Sequence, residues 1–273
     1  MEQLGLIAGS GAYPLLLARA ARARGVRQVV AVAFESETSP DIAQAADHVE
    51  WIKVGQLGRL IGAFTQRGVT ETIMAGQIAP KNLFRDIRPD LRLMAMIARL
   101  KERNAETIFG AIAAELKKDG VTLLPATTFM EDYLAPAGPI TKRRPSREQE
   151  EDIAFGLKIA KSVSAFDIGQ TVVVKNGTVL AVEALEGTDE CIRRGGALAG
   201  EQGGAVVVKV TKPNQDMRFD VPVVGTRTIE SCAAGRIAVL AVEAGRSLML
   251  DKDAVLAAAD GAKLVITGVA APS

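Results

Sequence analysis

The sequence predicts an α/β protein in two parts: a Rossmann-like doubly wound N-terminal domain followed by a mixed α/β C-terminal domain. Three observations carry this. Short apolar β runs alternate with helical patterns through the first half. A second group of β runs, opened by an Asn-Gly hairpin signal, fills the second half. Between them lies 134–152, LAPAGPITKRRPSREQEED, with three prolines and dense mixed charge. Such a stretch reads as a solvated connection between two cores. It predicts domains at 1–134 and 146–273 with a linker at 135–145. A chain of 273 residues has the length for two such units at about 150 residues per domain.

In the first half the runs are LGLIA (4–8), VVAVAF (29–34), HVEWIKV (48–54), ETIMAG (71–76) and VTLLP (121–125). Strands apolar at nearly every position, separated by helices, imply a parallel sheet covered on both faces. A helix over 15–24 places Leu and Ala on one side and Arg19 and Arg22 on the other, and stops at Gly25. The Ala- and Leu-rich helices near 91–118 read as core. After the charged stretch, Ser146 and Gln149 form a capping box ahead of an apolar stripe at Ile153, Leu157 and Ala160, so a helix begins there. VVVK (172–175) and TVLAVEA (178–184) flank Asn176-Gly177, two residues that accept the positive φ of a type I′ turn. Further strands are expected at 205–210, 237–244, 246–250 and 263–268, and helices at 189–198, 228–234 and 253–260. Their order in a sheet does not follow from the sequence.

Composition excludes several classes. Hydrophobic residues make up 48% and charged residues 24%, with Lys+Arg 33 against Asp+Glu 32 and a net charge of +1. One Trp, two Tyr and near-neutral charge argue against nucleic-acid binding, which needs a basic face and stacking aromatics. Cys191 and Cys232 lack the paired spacing of a zinc site and are too few for a disulfide framework, so they read as small buried hydrophobes in a reducing compartment. The longest uncharged stretch near the start, 4–18, is broken by Gly5, Gly9, Gly11 and Pro14 and is shorter than the roughly 20 apolar residues that span a bilayer. The expectation is a cytoplasmic protein. His48 has no second histidine for a metal pair and no triad partner.

Four segments carry chemistry. In GLIAGSGAYP (5–14) a strand runs through Gly9, Ser10 and Gly11 into a helix opened by Pro14. Helix-start amides hold anions there. Pro14 stands where a G-x-G-x-x-G pattern has its third glycine, while Glu35 stands where a dinucleotide site places its ribose carboxylate. Phosphate contact, a plain strand–helix turn and a full nicotinamide-dinucleotide site all stay open, and with the last a nicotinamide-dependent oxidoreductase. MAGQIAPKNL (74–83) brings Gly76, Gln77 and Lys81 to the same sheet edge, where open α/β sheets bind ligands. VEALEGTDECIRRGG (182–196) offers Thr188 and Asp189 as helix caps, with Arg193 and Arg194 one turn on, which is either a capped helix or an anion-holding corner. The fourth is VVVKVTKPNQDMRFDVPVVGTRTIE (206–230). It concentrates Lys209, Lys212, Gln215, Asp216, Arg218 and Asp220 in a loop stiffened by Pro213 and Pro222. Its two carboxylates suit a magnesium ion whose shell is completed by phosphates, or a water to be deprotonated.

Together these segments, with MAG at the fourth strand and IAVLAVEAGRSLMLD near the end, resemble the LpxI-type UDP-2,3-diacylglucosamine pyrophosphatase family, from Leu4 to about Gly268. The resemblance implies magnesium-dependent hydrolysis of UDP-2,3-diacylglucosamine to UMP and 2,3-diacylglucosamine 1-phosphate in the lipid A biosynthesis of Gram-negative bacteria. Water would attack the phosphorus on the sugar side, with the substrate between two domains. It implies Asp216 and Asp220 as metal or water-activating residues, with Lys212 in the catalytic set. Lys212, Gln215, Thr188 and Asp189 would contact the sugar phosphate, and Arg193 and Thr226 are expected on the substrate as well. Gly9, Ser10, Gly11, Gly76, Gln77 and Lys81 would meet it from the other domain. A bilayer-resident substrate implies transient peripheral contact with the inner membrane surface; a non-catalytic nucleotide-sugar or lipid carrier and a homodimer stay open. Where the family carries a Gly-Asp-Asp run before a helix, this sequence reads Asn104-Ala105-Glu106-Thr107-Ile108, so no role for those aspartates carries over.

Overall fold

The computed structural model describes residues 1–78, 89–102 and 104–270. The chain forms two compact units: Met1–Glu131 with Asp216–Asp220, and Asp132–Gln215 with Val221–Ser273. The fold is α/β in both.

Unit 1 is built on five parallel strands, β1 (Gln3–Ala8), β2 (Gln28–Phe34), β3 (His48–Ile52), β4 (Glu71–Ala75) and β5 (Thr122–Leu123). Their order is β3-β2-β1-β4-β5, the reversal on either side of β1 expected of a Rossmann-like sheet. Helix α1 (Tyr13–Ala23) packs on β1 and β4 and buries Leu17, Ala18 and Ala21. Helices α2 (Leu57–Thr65), α3 (Leu91–Ala98) and α4 (Ala105–Lys118) also belong to the unit. Ile7, Val30, Val32 and Phe34 share one core with Leu60 and Phe64 of α2, Met96 of α3 and Leu116 of α4. Leu4 and Leu6 are fully buried and alternate with Ile7, so β1 turns apolar side chains to both faces. That accounts for its nearly uninterrupted apolar sequence.

Unit 2 holds a six-stranded sheet ordered β6-β13-β11-β9-β7-β8. Its centre is parallel: β9 (Val206–Lys209), β11 (Val239–Glu243) and β13 (Val265–Val269). Antiparallel strands flank it, β6 (Gly138–Pro139) on one side and the hairpin β7 (Thr171–Lys175) and β8 (Thr178–Val182) on the other. The two short strands β10 (Val223–Val224) and β12 (Leu248–Met249) pair separately. Helix α5 (Arg147–Ala165) covers one face, packing Ile153 and Ala160 on Val172, Val174, Val206 and Val208. Helices α6 (Thr188–Leu198), α7 (Thr226–Ala234) and α8 (Lys252–Gly261) cover the other, where Ile192, Ile229 and Val255 meet Val173, Val207 and Leu240. The alternation of Val172, Val173 and Val174 between two cores is the period of a strand buried on both sides.

Local expectations reappear in detail. Ser146 and Gln149 make the reciprocal capping box of α5. Asn176 and Gly177 adopt φ of 50° and 69° between β7 and β8, and both turn amides donate to the buried Asp152 carboxylate at 2.9 and 2.7 Å. The stretch 135–145 is a correction. Instead of a solvated linker it is part of unit 2: Gly138 and Pro139 pair with β13, and the Ile140 amide donates to the Ile266 carbonyl at 2.9 Å. Proline is tolerated there because β6 is an edge strand, and its partner lies far along the chain.

Candidate active site

In unit 1 the two glycine segments meet at the carboxyl ends of β1 and β4. The Gly9 amide donates to Ala75 O and the Ser10 amide to Gln77 O, each at 2.7 Å, and Ser10 Oγ also donates to Gln77 O at 2.8 Å. The approach requires glycine: a Cβ on Gly76, at φ +88°, would lie 2.5 Å from Ser10 O, and one on Gly9 2.6 Å from Gln77 O. Gly9, Ser10, Gly76 and Gln77 are thus brought together, with Gly11 exposed beside them. The Gly9, Ser10 and Gln77 amides of this corner all donate to protein carbonyls, which leaves less of a dinucleotide cradle than the sequence pattern offered. Lys81 lies outside the described residues.

The acidic segment also belongs to unit 1. The buried Tyr13 hydroxyl donates to Ala126 O. On the other side of that residue the Ala126 amide donates to Met217 O at 2.7 Å. The start of α1 is therefore joined through Ala126 to residues 216–220. Phe219 stacks on Phe109 of α4 with centroids 5.5 Å apart. Within the segment the Asp220 amide donates to Asp216 O at 3.1 Å, closing a single turn. Arg218 clasps Asp216, Nε at 2.9 Å from Oδ1 and Nη2 at 2.6 Å from Oδ2. These guanidinium bonds hold the Asp216 carboxyl below its ordinary range. Asp216 is an anion with both oxygens in use. Asn104 caps α4 by accepting from the Thr107 amide at 2.9 Å, a structural role for the divergent segment.

In unit 2 the ends of β8 and β9 and the start of β7 form one edge. Gln215 Oε1 accepts from the Lys212 amide at 2.6 Å and the Gln215 amide donates back to Lys212 O at 3.2 Å, a self-closed turn. Lys212 Nζ pairs with Asp167. Thr188 donates to Glu183 Oε1 at 2.9 Å and lies 3.5 Å from the Thr171 hydroxyl. Thr171 is the register partner of Lys209, which sets Thr188 near the root of the Lys212 turn. Asp189 accepts from Ser231 at 3.2 Å and pairs with Arg227 at 2.7 Å, tying α6 to the start of α7, where Thr226 is exposed. Thr188, Asp189, Lys212, Gln215 and Thr226 share this edge. Arg193 pairs with Glu190 on the helix surface instead.

The sequence reading missed Glu243. It ends β11 at zero exposure and binds Lys161 at 2.7 Å and the Thr211 amide and hydroxyl at 2.8 and 2.7 Å. The available signal was a carboxylate closing a Val-rich strand at a carboxyl edge.

Among the described residues no group of three or more His, Cys, Asp or Glu gathers as for a metal. An all-protein cage does not fit. The carboxylates that could serve the other magnesium mode, in which one or two of them assist substrate phosphates, are Asp216 and Asp220, and Arg218 binds both oxygens of Asp216.

Two α/β units carrying backbone corners, cations and carboxylates at strand ends define a protein equipped for an anionic substrate. The family model for the LpxI N-terminal domain matches residues 3–133, and that for the LpxI C-terminal domain matches 136–267. A curated relative from Caulobacter vibrioides, named UDP-2,3-diacylglucosamine pyrophosphatase LpxI, is 33% identical over 98% of each chain. The chain belongs to the LpxI family. A solved N5-carboxyaminoimidazole ribonucleotide synthetase from Thermotoga maritima overlaps 68% of this chain and 42% of its own at 12% identity and a TM-score of 0.26, a likeness too slight to bear on function.

Proposed function

We propose that this protein hydrolyses the pyrophosphate bond of UDP-2,3-diacylglucosamine, releasing UMP and 2,3-diacylglucosamine 1-phosphate for lipid A biosynthesis. The observation that carries this is identity sustained across both family domains to a relative named for that activity.

Cleaving a phosphoanhydride calls mainly for positioning and charge neutralisation, and no covalent nucleophile is needed. The water oxygen bonds to the phosphorus bearing the sugar, that phosphorus loses its bond to the bridging oxygen, and UMP departs with the bridging oxygen and its electron pair. Asp220 takes the proton from the water. Lys212 neutralises a phosphate oxygen, and Gln215, Thr188 and Asp189 contact the sugar phosphate. Asp216, kept ionised by Arg218, fixes the one-turn segment that carries Asp220. Asp220 would also hold magnesium, which when bound supplies Lewis-acid neutralisation of phosphate charge. Among the described residues no helix is long and apolar enough to cross a membrane. A diacylated, bilayer-resident substrate would be met by transient contact with the inner membrane surface.

The test is turnover of purified full-length protein with substrate in mixed micelles, following UMP in magnesium and in EDTA. UMP release in magnesium, its loss in EDTA, and heavy oxygen from labelled water in the sugar phosphate support the reading; no UMP from the native protein removes it. Asp220→Ala should lower kcat by about 10²- to 10⁴-fold, the range for a lost general base, with an unchanged circular dichroism spectrum. Near-native kcat in that variant reassigns the proton transfer.

A further inference from the structure

We infer that Glu243 is a positioning residue for this reaction, acting through Lys161 and Thr211 to fix the backbone from which Lys212 projects. The inference rests on the functional reading above, in which Lys212 touches substrate phosphate.

All three polar atoms of Thr211 are held by charged side chains. Its amide and hydroxyl donate to Glu243 Oε2 at 2.8 and 2.7 Å. Its carbonyl accepts from Lys161 Nζ at 2.9 Å, and Arg246 Nη1 lies 3.2 Å from the hydroxyl. Lys161 closes the set on the same Glu243 oxygen at 2.7 Å. Thr211 and Glu243 are both fully buried. The concentration is one-sided: Oε1 has no hydrogen-bond partner and sits 4.0 Å from Arg246 Nη1.

A core that needed only stability has a simpler solution. A buried ion pair can be replaced by apolar residues of similar volume with no loss and often a gain, because desolvation offsets most of the attraction. What apolar residues cannot do is hold an amide, a carbonyl and a hydroxyl at once. The next residue is Lys212, whose own amide and carbonyl close the turn with Gln215. The Glu243 network therefore fixes the chain direction at the last buried residue before the turn. Strand-end sites depend on this, since displacements of about 1 Å at a reacting group cost on the order of 100-fold in rate.

The experiment separates positioning from support. The double variant Lys161→Met/Glu243→Leu refills the space with apolar groups. Positioning predicts kcat at least 10-fold lower with KM within about 3-fold, measured well below the variant's melting temperature, which itself falls because the Thr211 amide, hydroxyl and carbonyl lose their partners. Native kcat in the folded variant overturns it, because a merely structural pair is then replaceable. Thr211→Val, which keeps the shape and the amide bond but loses the hydroxyl, covers the case in which the double variant does not fold. Measured well below its melting temperature, it should lose at least about 3-fold in kcat with KM little changed and speed amide exchange across 211–215; native kcat and native exchange overturn the inference. Native protein that releases no UMP defeats the functional reading instead, while the exchange measurement still reports on the anchor.

Discussion

Cys191 and Cys232 are free and fully buried, and burial pushes both thiols up to about 12. Only the thiolate is nucleophilic, so neither should react with a thiol reagent at pH 8 until the protein unfolds. Rapid labelling of the native chain by Ellman's reagent contradicts this. Carboxylates behave in the opposite sense. Burial opposes the charge on Glu243, but Lys161 and Thr211 outweigh it and hold the group below its ordinary value of 4.5. A depressed folded pKa contributes stability above the unfolded value, and that contribution is lost as pH falls through the folded one. Denaturant midpoints should therefore drop as pH falls from about 4.5, and Glu243→Gln should flatten that limb. An equal drop in the variant assigns the acid sensitivity elsewhere.

At the scale of elements, periodicity and caps were legible because they are written within a few residues. The α5 capping box is an example, and Ser146→Ala should cost about 1 kcal/mol, measured as a lower midpoint in urea with an unchanged slope. The runs at 29–34, 172–175 and 178–184 were legible for the same reason, each overlapping a strand. The strand Gly138–Pro139 was not, because two prolines and the charged residues after it resemble a solvated connection. Only Thr267 and Gly268, distant in sequence, turn it into an edge strand. Nor was the order of the second sheet legible, since nothing local records that β9 lies between β7 and β11. Glu243 was hidden in the same way: VLAVE reads as a buried strand with a polar end, and its meaning depends on Lys161 and Thr211.

For the molecule as a whole, a net charge of +1 conceals local pairing. Asp216 with Arg218, Lys212 with Asp167, and Asp189 with Arg227 each bind opposite charges at strand ends. The functional reading makes UMP a ligand of the folded state alone. Mass action then raises stability by about 2.7 kcal/mol at 100 times its Kd. Thermal unfolding with rising UMP should show this in the native protein, and a flat response argues against nucleotide binding. The residues of the glycine corner and the acidic segment were legible as motifs. Their attachment through Tyr13, Ala126 and Met217 was not, because it runs through a side-chain hydroxyl and two backbone groups far apart in sequence.

The Asp152 carboxylate beneath the β7–β8 turn has a consequence for the lifetime of the chain. Asn-Gly is the dipeptide most exposed to spontaneous deamidation, in which the glycine nitrogen attacks the asparagine side-chain carbonyl and expels ammonia. Here the Gly177 nitrogen is hydrogen-bonded to Asp152 at 2.7 Å, and the neighbouring Asn176 amide is held at 2.9 Å. With that N–H committed to Asp152 while the fold persists, deamidation at Asn176 is expected to be slower in the folded chain than in the unfolded one, a difference that peptide mapping after incubation would show.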